Sequence, residues 1–495
     1  MNIKQAKEEI KHTVMAYLAK DAQGEYRIPA IRQRPILLMG PPGIGKTQIM
    51  EQIAAECKIG LVAYTITHHT RQSAVGLPMI KEESFEGKTY SVTEYTMSEI
   101  IASIYCKMKK TGQKEGILFI DEINCVSETL APTMLQFLQC KTFGNQAIPE
   151  GWLIVAAGNP PEYNKSVRDF DMVTLDRVRY LNIEADYKVW KEYAREKHLH
   201  NAILSYLELR QKNFYRVEAD VDGIRFVTAR GWEDLSNLMQ VYEEMDLPVD
   251  EGVIREFIHH EDVAEDAAAY FELYRKYRDD YGITDILAGR IRPETFARIY
   301  AASFDERLSV VNLLLDGLSA FFVKVQEKKK ITDNWYEFLK EYQRHLKEGE
   351  APADCYQALL EEKMAMVEAE KQAELCTKAQ AAGWEQIFAL WKENMPDKGL
   401  DAKESFAQAK TGFDIQRETL EESEQDASDA LEHAFDFMEQ AFEDGEEMVV
   451  FVTELTLSSE AAMFLAEHTC DRYMTYNEQL LIGKRKRELL SELKR

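Results

Sequence analysis

A glycine-rich stretch carries the clearest chemical signal in the chain. It fits the pattern G-x-x-x-x-G-K-[ST] and consists of Gly40, Pro41, Pro42, Gly43, Ile44, Gly45, Lys46 and Thr47. Glycines let successive backbone N–H groups curl around a phosphate, and a helix that follows points its positive end at the same anion. In this pattern Lys46 reaches the β- and γ-phosphates of a nucleotide, and Thr47 places its hydroxyl on Mg²⁺. The stretch therefore predicts a nucleotide-binding phosphate loop.

Two carboxylates, Asp121 and Glu122, directly follow the apolar run Gly116–Ile120. Open α/β sheets bind their ligands outside the carboxyl ends of the strands, so these acids are expected beside the phosphate loop. Asp121 is predicted to hold Mg²⁺ through water, and Glu122 to polarise the attacking water. The alternative is a strand that merely ends in exposed acids, and the phosphate loop in the same chain argues against it.

Two further polar residues fit the same site. Asn159 follows the apolar run Trp152–Ala157, and at that strand end its amide is placed to orient a water against the γ-phosphate. Its neighbour Pro160 leaves ordinary turn chemistry as the alternative. Arg230 falls in the first turn of a predicted helix, where a cation opposes the helix dipole unless an anion lies close. A γ-phosphate would supply that anion.

The segments that must position these residues alternate between two patterns. Short apolar runs predict buried strands at residues 35–39, 61–67, 116–120, 152–157 and 180–183. Helical spacing of apolar residues predicts helices at 4–20, 47–55, 98–110, 187–197, 201–212 and 229–245. A turn at 85–88 and the alternation at 90–95 predict a hairpin inserted near 71–97. The alternation of strands and helices predicts an α/β fold with a parallel sheet.

Composition restricts the class of protein. At 495 residues the chain has room for about three domains. Its seven cysteines are scattered without a C-x-x-C pair, which favours reduced thiols over disulfides or a zinc site. The N-terminus is charged, and no apolar run is expected to reach the roughly 18 residues of a membrane span. We therefore expect a cytoplasmic protein that does not contact a membrane.

The net charge of −26 is unevenly distributed. Residues 1–250 contain 30 Lys and Arg against 34 Asp and Glu, whereas residues 251–495 contain 30 against 52. Such an acidic half repels nucleic acid and favours basic protein surfaces, although a solvated helical surface explains it equally well. We expect no nucleic-acid binding, because no basic groove is evident.

The second half shows helical periodicity throughout, with a long apolar face at Phe304–Phe322. A Lys-rich break is predicted at Lys328–Lys330, and acidic connectors between helices at Glu418–Asp429 and Glu439–Glu447. Four aromatic residues in the middle of this half are predicted to form the core of a helical module rather than a ligand pocket; they are Trp384, Phe388, Trp391 and Phe406.

These motifs resemble those of the AAA+ ATPases, and among them the MoxR-like ATPases with an insert near the second helix. The resemblance spans about residues 30–245. It rests on the phosphate loop, Asp121–Asn124, Asn159, Leu175–Arg177 and Thr228–Arg230. It implies an αβα nucleotide-binding core with a parallel sheet, a helical lid, and here a large all-α C-terminal region. Relatives often carry an arginine where this chain has Cys125, for which a buried, inert thiol is the preferred interpretation.

The same resemblance implies a mechanism and partners. Members of the family form rings, usually hexamers, that hydrolyse ATP with Mg²⁺. Arg177 would act in trans on the γ-phosphate of the adjacent subunit, with Arg179 as the second candidate, and Arg230 would act in cis from the lid. The hairpin insert would face the pore or a client. MoxR-like ATPases commonly work with proteins that carry a von Willebrand factor A domain, so a chaperone or remodelling role on such a client is implied.

The expected domain division follows from these assignments. It comprises an N-terminal helix and entry at 1–30, the AAA+ core at 31–183, the lid at 184–247, a helical domain at 248–330 and an acidic helical region at 331–495. Two alternatives to the remodelling ATPase stay open at this point. One is an ATP-gated scaffold that recruits a protein partner through its acidic helices without turnover. The other, less favoured, is a nucleic-acid translocase.

Overall fold

The computed structural model describes the chain except for residues 69, 87, 144–145, 164–166, 168–169, 221–222, 374 and 493–495. The chain forms two compact units. The first contains residues 1–189, 228–230 and 366–381, and the second contains residues 190–227, 231–365 and 382–495. The first unit therefore includes the predicted core together with Arg230.

The strands are numbered in chain order. They are β1 Ile36–Met39, β2 Gly60–Thr65, β3 Pro78–Phe85, β4 Lys88–Tyr95, β5 Gly116–Asp121, β6 Thr142–Phe143, β7 Gln146–Ala147, β8 Trp152–Gly158, β9 Arg179–Asn182, β10 Arg216–Asp220 and β11 Gly223–Val227.

The helices of the first two hundred or so residues are α1 Ile3–Leu18, α2 Lys46–Cys57, α3 Arg71–Val75, α4 Glu99–Thr111, α5 Ala131–Cys140, α6 Met172–Leu175, α7 Tyr187–Glu196 and α8 Asn201–Leu209. Those that follow are α9 Ala229–Glu244, α10 Glu251–Arg255, α11 Glu261–Tyr281, α12 Ile283–Leu287, α13 Pro293–Ala301, α14 Phe304–Glu348, α15 Pro352–Gln372, α16 Lys378–Glu393, α17 Ala402–Phe442, α18 Glu446–Leu457, α19 Ser459–Glu467 and α20 Asp471–Glu492.

A five-stranded parallel sheet with the order β2-β5-β8-β1-β9 forms the centre of the first unit. Strands β1 and β8 are buried at every residue, which is typical of a parallel sheet covered by helices on both faces. Because the strands are parallel, the carboxyl ends of β1, β5 and β8 meet at one edge. That edge carries Gly40, Asp121 and Asn159. The predicted α/β fold with a parallel sheet is confirmed.

The predicted insert is an antiparallel hairpin in which Pro78 of β3 pairs with Tyr95 of β4 and Phe85 pairs with Lys88. Its turn residue Gly87 lies outside the described residues. The sequence patterns did not predict α5 or the short β6–β7 hairpin. The strands of this hairpin have two residues each, which is too short for any periodicity to show.

The second unit is dominated by helices, as predicted, and its longest helices correct two sequence predictions. Helix α14 runs without interruption for 45 residues through Lys328–Lys330, so the predicted break there is wrong, and the expected domain boundary at 330/331 falls inside a helix. Lysine is a good helix former, and Lys328 Nζ donates to Thr419 O at 2.9 Å and to Ser423 Oγ at 2.7 Å on α17. Tertiary contacts thus hold the lysine run in a helix.

Two further predictions for this unit need correction. Residues 418–429 are not a connector, because they lie inside α17; only the second acidic segment, 439–447, contains a break between helices. Strands β10 and β11 form an antiparallel hairpin where the sequence showed only an isolated segment at 225–227. The predicted aromatic core is present in part: Trp391 and Phe388 are buried, and Trp391 stacks on Phe338 with ring centroids 4.2 Å apart. Trp384 and Phe406 are only half-buried.

One helix contradicts the expectation that no apolar run is long enough to cross a membrane. Helix α14 contains an 18-residue window with mean hydropathy 1.7, and the bent pair α18–α19 passes the same test of length and composition. Val310, Leu314, Leu318 and Phe322 of α14 are buried against the protein. A buried apolar face of this kind is also what the core helix of a helical domain requires.

Candidate nucleotide-binding site

The phosphate loop connects β1 to α2 in a conformation that needs glycine. Gly43 and Gly45 have φ angles of 71° and 90°, and Gly45 is the N-cap residue of α2. A Cβ atom on Gly40 would come within 2.7 Å of the carbonyl oxygen of Ile183. The loop therefore turns tightly into the N-terminus of α2, which is the arrangement that binds phosphate.

The Lys46 ammonium lies inside this loop. Its Nζ donates to the carbonyl oxygens of Gly40 and Pro41 and to Asn159 Oδ1, each at 2.8 Å. Only 8% of the residue is exposed. Burial lowers the pKa of Lys46 to about 8, with a further lowering by the charge of Arg230, whereas the charges of Asp121 and Glu122 oppose the shift. The structure thus brings the predicted lysine and the predicted asparagine into direct contact.

Thr47 and Asp121, the two residues predicted to hold Mg²⁺, are also in contact. Thr47 Oγ1 donates to Asp121 Oδ2 at 3.1 Å. Hydroxyl and carboxylate oxygens are hard ligands of the kind that Mg²⁺ prefers, and Mg²⁺ usually retains waters and binds through one or two protein groups. The residues present at this position therefore fit a Mg²⁺ ion.

Glu122 stands at the end of β5 in an unusual backbone conformation, with φ at 57°. Its N–H donates to Asp121 Oδ1 at 2.9 Å, and its carboxylate Oε2 accepts from Thr67 Oγ1 at 3.0 Å. A positive φ in a residue other than glycine stores strain and often marks a functional position. Both ends of the residue are thus held, with its side chain directed toward Thr67.

Thr67 is a site residue that the sequence analysis missed, since it was treated only as the end of a strand. Strands β2 and β5 are neighbours in which Thr65 pairs with Asp121, so Thr67 continues past the sheet edge beside Glu122. The sequence did contain a signal for this role, because Thr67 is a polar residue just beyond the strand that neighbours the one ending in the two acids.

Asn124 is a second residue with a role that the sequence did not reveal. Its side-chain amide donates to Asn159 O at 2.8 Å and accepts from Asn159 N at 3.3 Å, and only 3% of the residue is exposed. These two bonds fix the backbone of Asn159. The Asn159 side chain then points to Lys46.

The backbone of Arg230 lies beside the phosphate loop. Its backbone N–H donates to Gly43 O at 3.2 Å. A Cβ atom on Gly43 would lie 3.3 Å from the Cβ atom of Arg230. The start of α9 therefore packs directly on the loop, with the Arg230 side chain exposed.

The two candidate arginine fingers differ in their surroundings. Arg177 is exposed just after α6, and its guanidinium hydrogen-bonds with Gln139 of α5. Arg179 is half-buried and bonds with Glu9 and Thr13 of α1. Among the residues that the structure describes, the side-chain partners of both arginines thus lie on helices rather than in the phosphate loop. Cys125 is half-buried and forms no disulfide, whereas the sequence analysis favoured a buried thiol.

A separate cavity of 1120 Å³ lies within the second unit. Charged residues line it, among them Lys191, Arg195, Asp316 and Glu454. Asp316 accepts a hydrogen bond from the Tyr274 hydroxyl. No motif in the sequence predicted this cavity, because its lining comes from helices far apart in the chain.

Comparison with known proteins agrees with the geometry of the first unit. Residues 36–172 match the family described as ATPase family associated with various cellular activities (AAA). The match contains the phosphate loop, the acid pair and Asn159. No curated protein shows a significant match to the chain. Residues 36–172 therefore combine similarity to the AAA family with the parallel sheet and the carboxyl-edge contacts of a nucleotide-binding site.

Proposed function

We propose that the protein is a Mg²⁺-dependent AAA+ ATPase that converts ATP and water to ADP and phosphate in order to remodel protein clients. The observation that carries the proposal is the convergence of Lys46, the Thr47–Asp121 pair and Glu122 at one edge of the sheet. A phosphate-binding loop alone does not need an anchored glutamate at the adjacent strand end. That glutamate favours hydrolysis over simple nucleotide binding.

Each side chain has a separate task in this proposal. The loop N–H groups and Lys46 bind the phosphates, while Thr47 and Asp121 hold Mg²⁺. When bound, Mg²⁺ neutralises charge on the β- and γ-phosphate oxygens. Glu122 polarises the attacking water, and the Asn159 amide orients it.

The trans arginine is a further part of the proposal. Arg177 acts on the γ-phosphate bound by an adjacent subunit of a ring, and the ring is a hexamer, as in the family that the chain resembles. Support comes from the exposure of Arg177 and of its neighbours Met172 and Val173, whereas Arg179 is bound to α1. Arg230, next to the phosphate loop, acts in cis.

The client assignment rests on the resemblance to MoxR-like ATPases. We propose a cytoplasmic protein partner with a von Willebrand factor A domain. The β3–β4 hairpin carries exposed apolar side chains, including Ile80, Phe85 and Tyr90, that suit contact with a protein. The acidic charge of residues 251–495 favours a basic surface on that partner.

ATP turnover by the purified full chain tests the proposal. Wild type should hydrolyse ATP, Lys46→Ala should lose nucleotide binding, and Glu122→Gln should bind ATP but turn it over at least about 100-fold more slowly. Glu150→Gln, a change at an exposed acid, is the control and should match wild type. Equal turnover in all four proteins would reject the assignment.

A second candidate function is an ATP-gated scaffold, favoured by the acidic charge of the helical second half. Cells that carry Glu122→Gln discriminate the two functions. A scaffold keeps its partner function because ATP still binds, whereas a remodelling ATPase loses it. The mass of the Glu122→Gln protein with ATP, together with the proteins that co-purify, reports the ring size and the client.

A further inference from the structure

The C-terminus of α14 ends in a tight turn that folds the chain back on the helix. Gly349 takes the left-handed conformation with φ at 89°, and its N–H donates to Leu346 O at 3.2 Å. The Glu350 N–H donates to His345 O at 3.4 Å. This pair of bonds is the Schellman arrangement, which places residue 350 against residue 345.

In such turns the two residues brought together usually make a hydrophobic contact. Here they are polar: His345 Nδ1 lies 3.0 Å from Glu350 Oε1. Cys355 joins them from the first turn of α15, where its N–H donates to Ala351 O at 2.9 Å. One ligand atom from each of the three side chains lies within 4.8 Å of the others.

The burial of the three groups is graded. Cys355 is only 4% exposed, the His345 side chain is 23% exposed and the Glu350 side chain is 49% exposed. The thiol therefore forms the base of the cluster, and the carboxylate lies at its solvent side.

We propose that His345, Glu350 and Cys355 form a binding site for a divalent transition-metal ion, with Zn²⁺ as the best match. Zn²⁺ takes imidazole nitrogen, thiolate sulfur and carboxylate oxygen in tetrahedral sites, whereas Mg²⁺ and Ca²⁺ prefer oxygen alone. Three protein ligands leave the fourth position to water. The site is independent of the ATPase proposed above.

The protons balance as follows on binding. The thiolate is the form of cysteine that binds a metal, so the Cys355 thiol releases its proton to solvent when it ligates. His345 binds through Nδ1 and carries its proton on Nε2. In the metal-free protein an Arg344 guanidinium nitrogen lies 3.4 Å from Nε2. Because both groups would then be donors, this exposed side chain must move away from Nε2 when the metal binds. One thiolate and one carboxylate then neutralise the dication.

Cobalt titration of the full-length chain, stripped of metal with a chelator, tests the site. Co²⁺ bound by a thiolate gives a sulfur-to-cobalt charge-transfer band, and tetrahedral Co²⁺ gives strong visible bands. Wild type should show both with one equivalent of Co²⁺, and Zn²⁺ should abolish them. Co²⁺ in the nucleotide site has oxygen ligands only and gives no sulfur band.

Three variants test whether the charge-transfer band comes from the proposed site. Cys355→Ser should abolish the charge-transfer band, and Cys106→Ser, at an exposed thiol in the other unit, should leave it unchanged. Glu350→Gln alters an exposed side chain, so it should fold like wild type by circular dichroism and bind Co²⁺ at least about tenfold more weakly. A wild-type protein without the band, or a band that survives Cys355→Ser, would overturn the proposal.

Discussion

The carboxylate of Glu122 accepts a hydrogen bond of 3.0 Å from the hydroxyl of Thr67, across the neighbouring strands β5 and β2. The bond is the side-chain anchor of a residue whose backbone is held at positive φ. Because a general base acts only when it is within reach of its water, the anchor sets where Glu122 can act.

Thr67→Val should therefore lower kcat severalfold and leave KM for ATP nearly unchanged. Valine keeps the shape of threonine but cannot donate, so Glu122 loses its position while the phosphate contacts persist. Steady-state ATPase kinetics measure the effect. Thr67→Ser retains the donor and should recover most of the wild-type kcat; equal kcat values for the valine variant and wild type would contradict this role.

Nucleotide affinity should fall as pH rises above about 8. The free protein holds the pKa of Lys46 at about 8, chiefly through burial, and bound phosphate favours the ammonium form. Binding near pH 8.5 should therefore take up a fraction of a proton. Calorimetric titration with ADP in buffers of different ionisation enthalpy measures the uptake.

Lys46→Arg is the control for this proton uptake, because a guanidinium stays charged throughout the range. Its binding enthalpy, where binding persists, should depend less on the buffer. A wild-type enthalpy that is the same in every buffer at pH 8.5 would contradict the linkage.

Arg177→Ala should reduce turnover by about 10³-fold or more and preserve ADP binding, since an arginine finger stabilises the transition state. If Arg177 acts in trans, a mixing experiment gives a more specific test. Mixing inactive Arg177→Ala protein with inactive Glu122→Gln protein should restore part of the activity, because one subunit supplies the arginine and the other the glutamate.

Arg179→Ala is the matched control for the finger. It removes the contacts with Glu9 and Thr13 of α1, so it should lower thermal stability more than kcat. Failure of the mixed proteins to regain turnover would exclude Arg177 as a trans residue. A loss of turnover in Arg179→Ala as large as in Arg177→Ala would leave the two arginines indistinguishable as fingers and contradict the assignment.

The stability of the second unit should fall as pH rises from about 4 through 7. Burial raises the pKa of Asp316 from 3.8 to about 7, although the Tyr274 hydrogen bond and the charge of Arg195 oppose the shift. The folded state therefore binds the proton more tightly than the unfolded state, and deprotonation costs up to about 1.4 kcal/mol per pH unit in this window.

Asp316→Asn removes this titration, so its unfolding temperature should change less than that of wild type between pH 5 and pH 8. Asp429→Asn, which alters another carboxylate of the same cavity, should keep the wild-type pH dependence. Differential scanning calorimetry measures all three proteins. Identical pH profiles for wild type and Asp316→Asn would contradict the assignment.

The parts of the site that follow from local rules were predictable from the sequence. Gly43 and Gly45 take conformations that few other residues allow, and Asp121 ends a buried strand, so a short stretch around each residue suffices. Thr67 and Asn124 were missed because their roles depend on strand register and on contacts across the sheet. Contacts between residues far apart in the chain cannot be predicted from the pattern of one segment.

Tertiary context also explains the errors in the helical half. The charge of the lysines at 328–330 predicted a break between helices, but α17 supplies hydrogen-bond acceptors for Lys328 and the helix continues. The MoxR-like assignment, the hexamer and the client partner stay predictions.

Helix α14 has a mechanical consequence. Its 45 residues at 1.5 Å per residue make a rod about 68 Å long. A tilt of about 5° at one end of such a rod displaces the other end by about 6 Å, roughly one helical turn. Because the His345–Cys355 turn lies at the end of this rod, a small angular change at Phe304 would produce a large translation at residue 348.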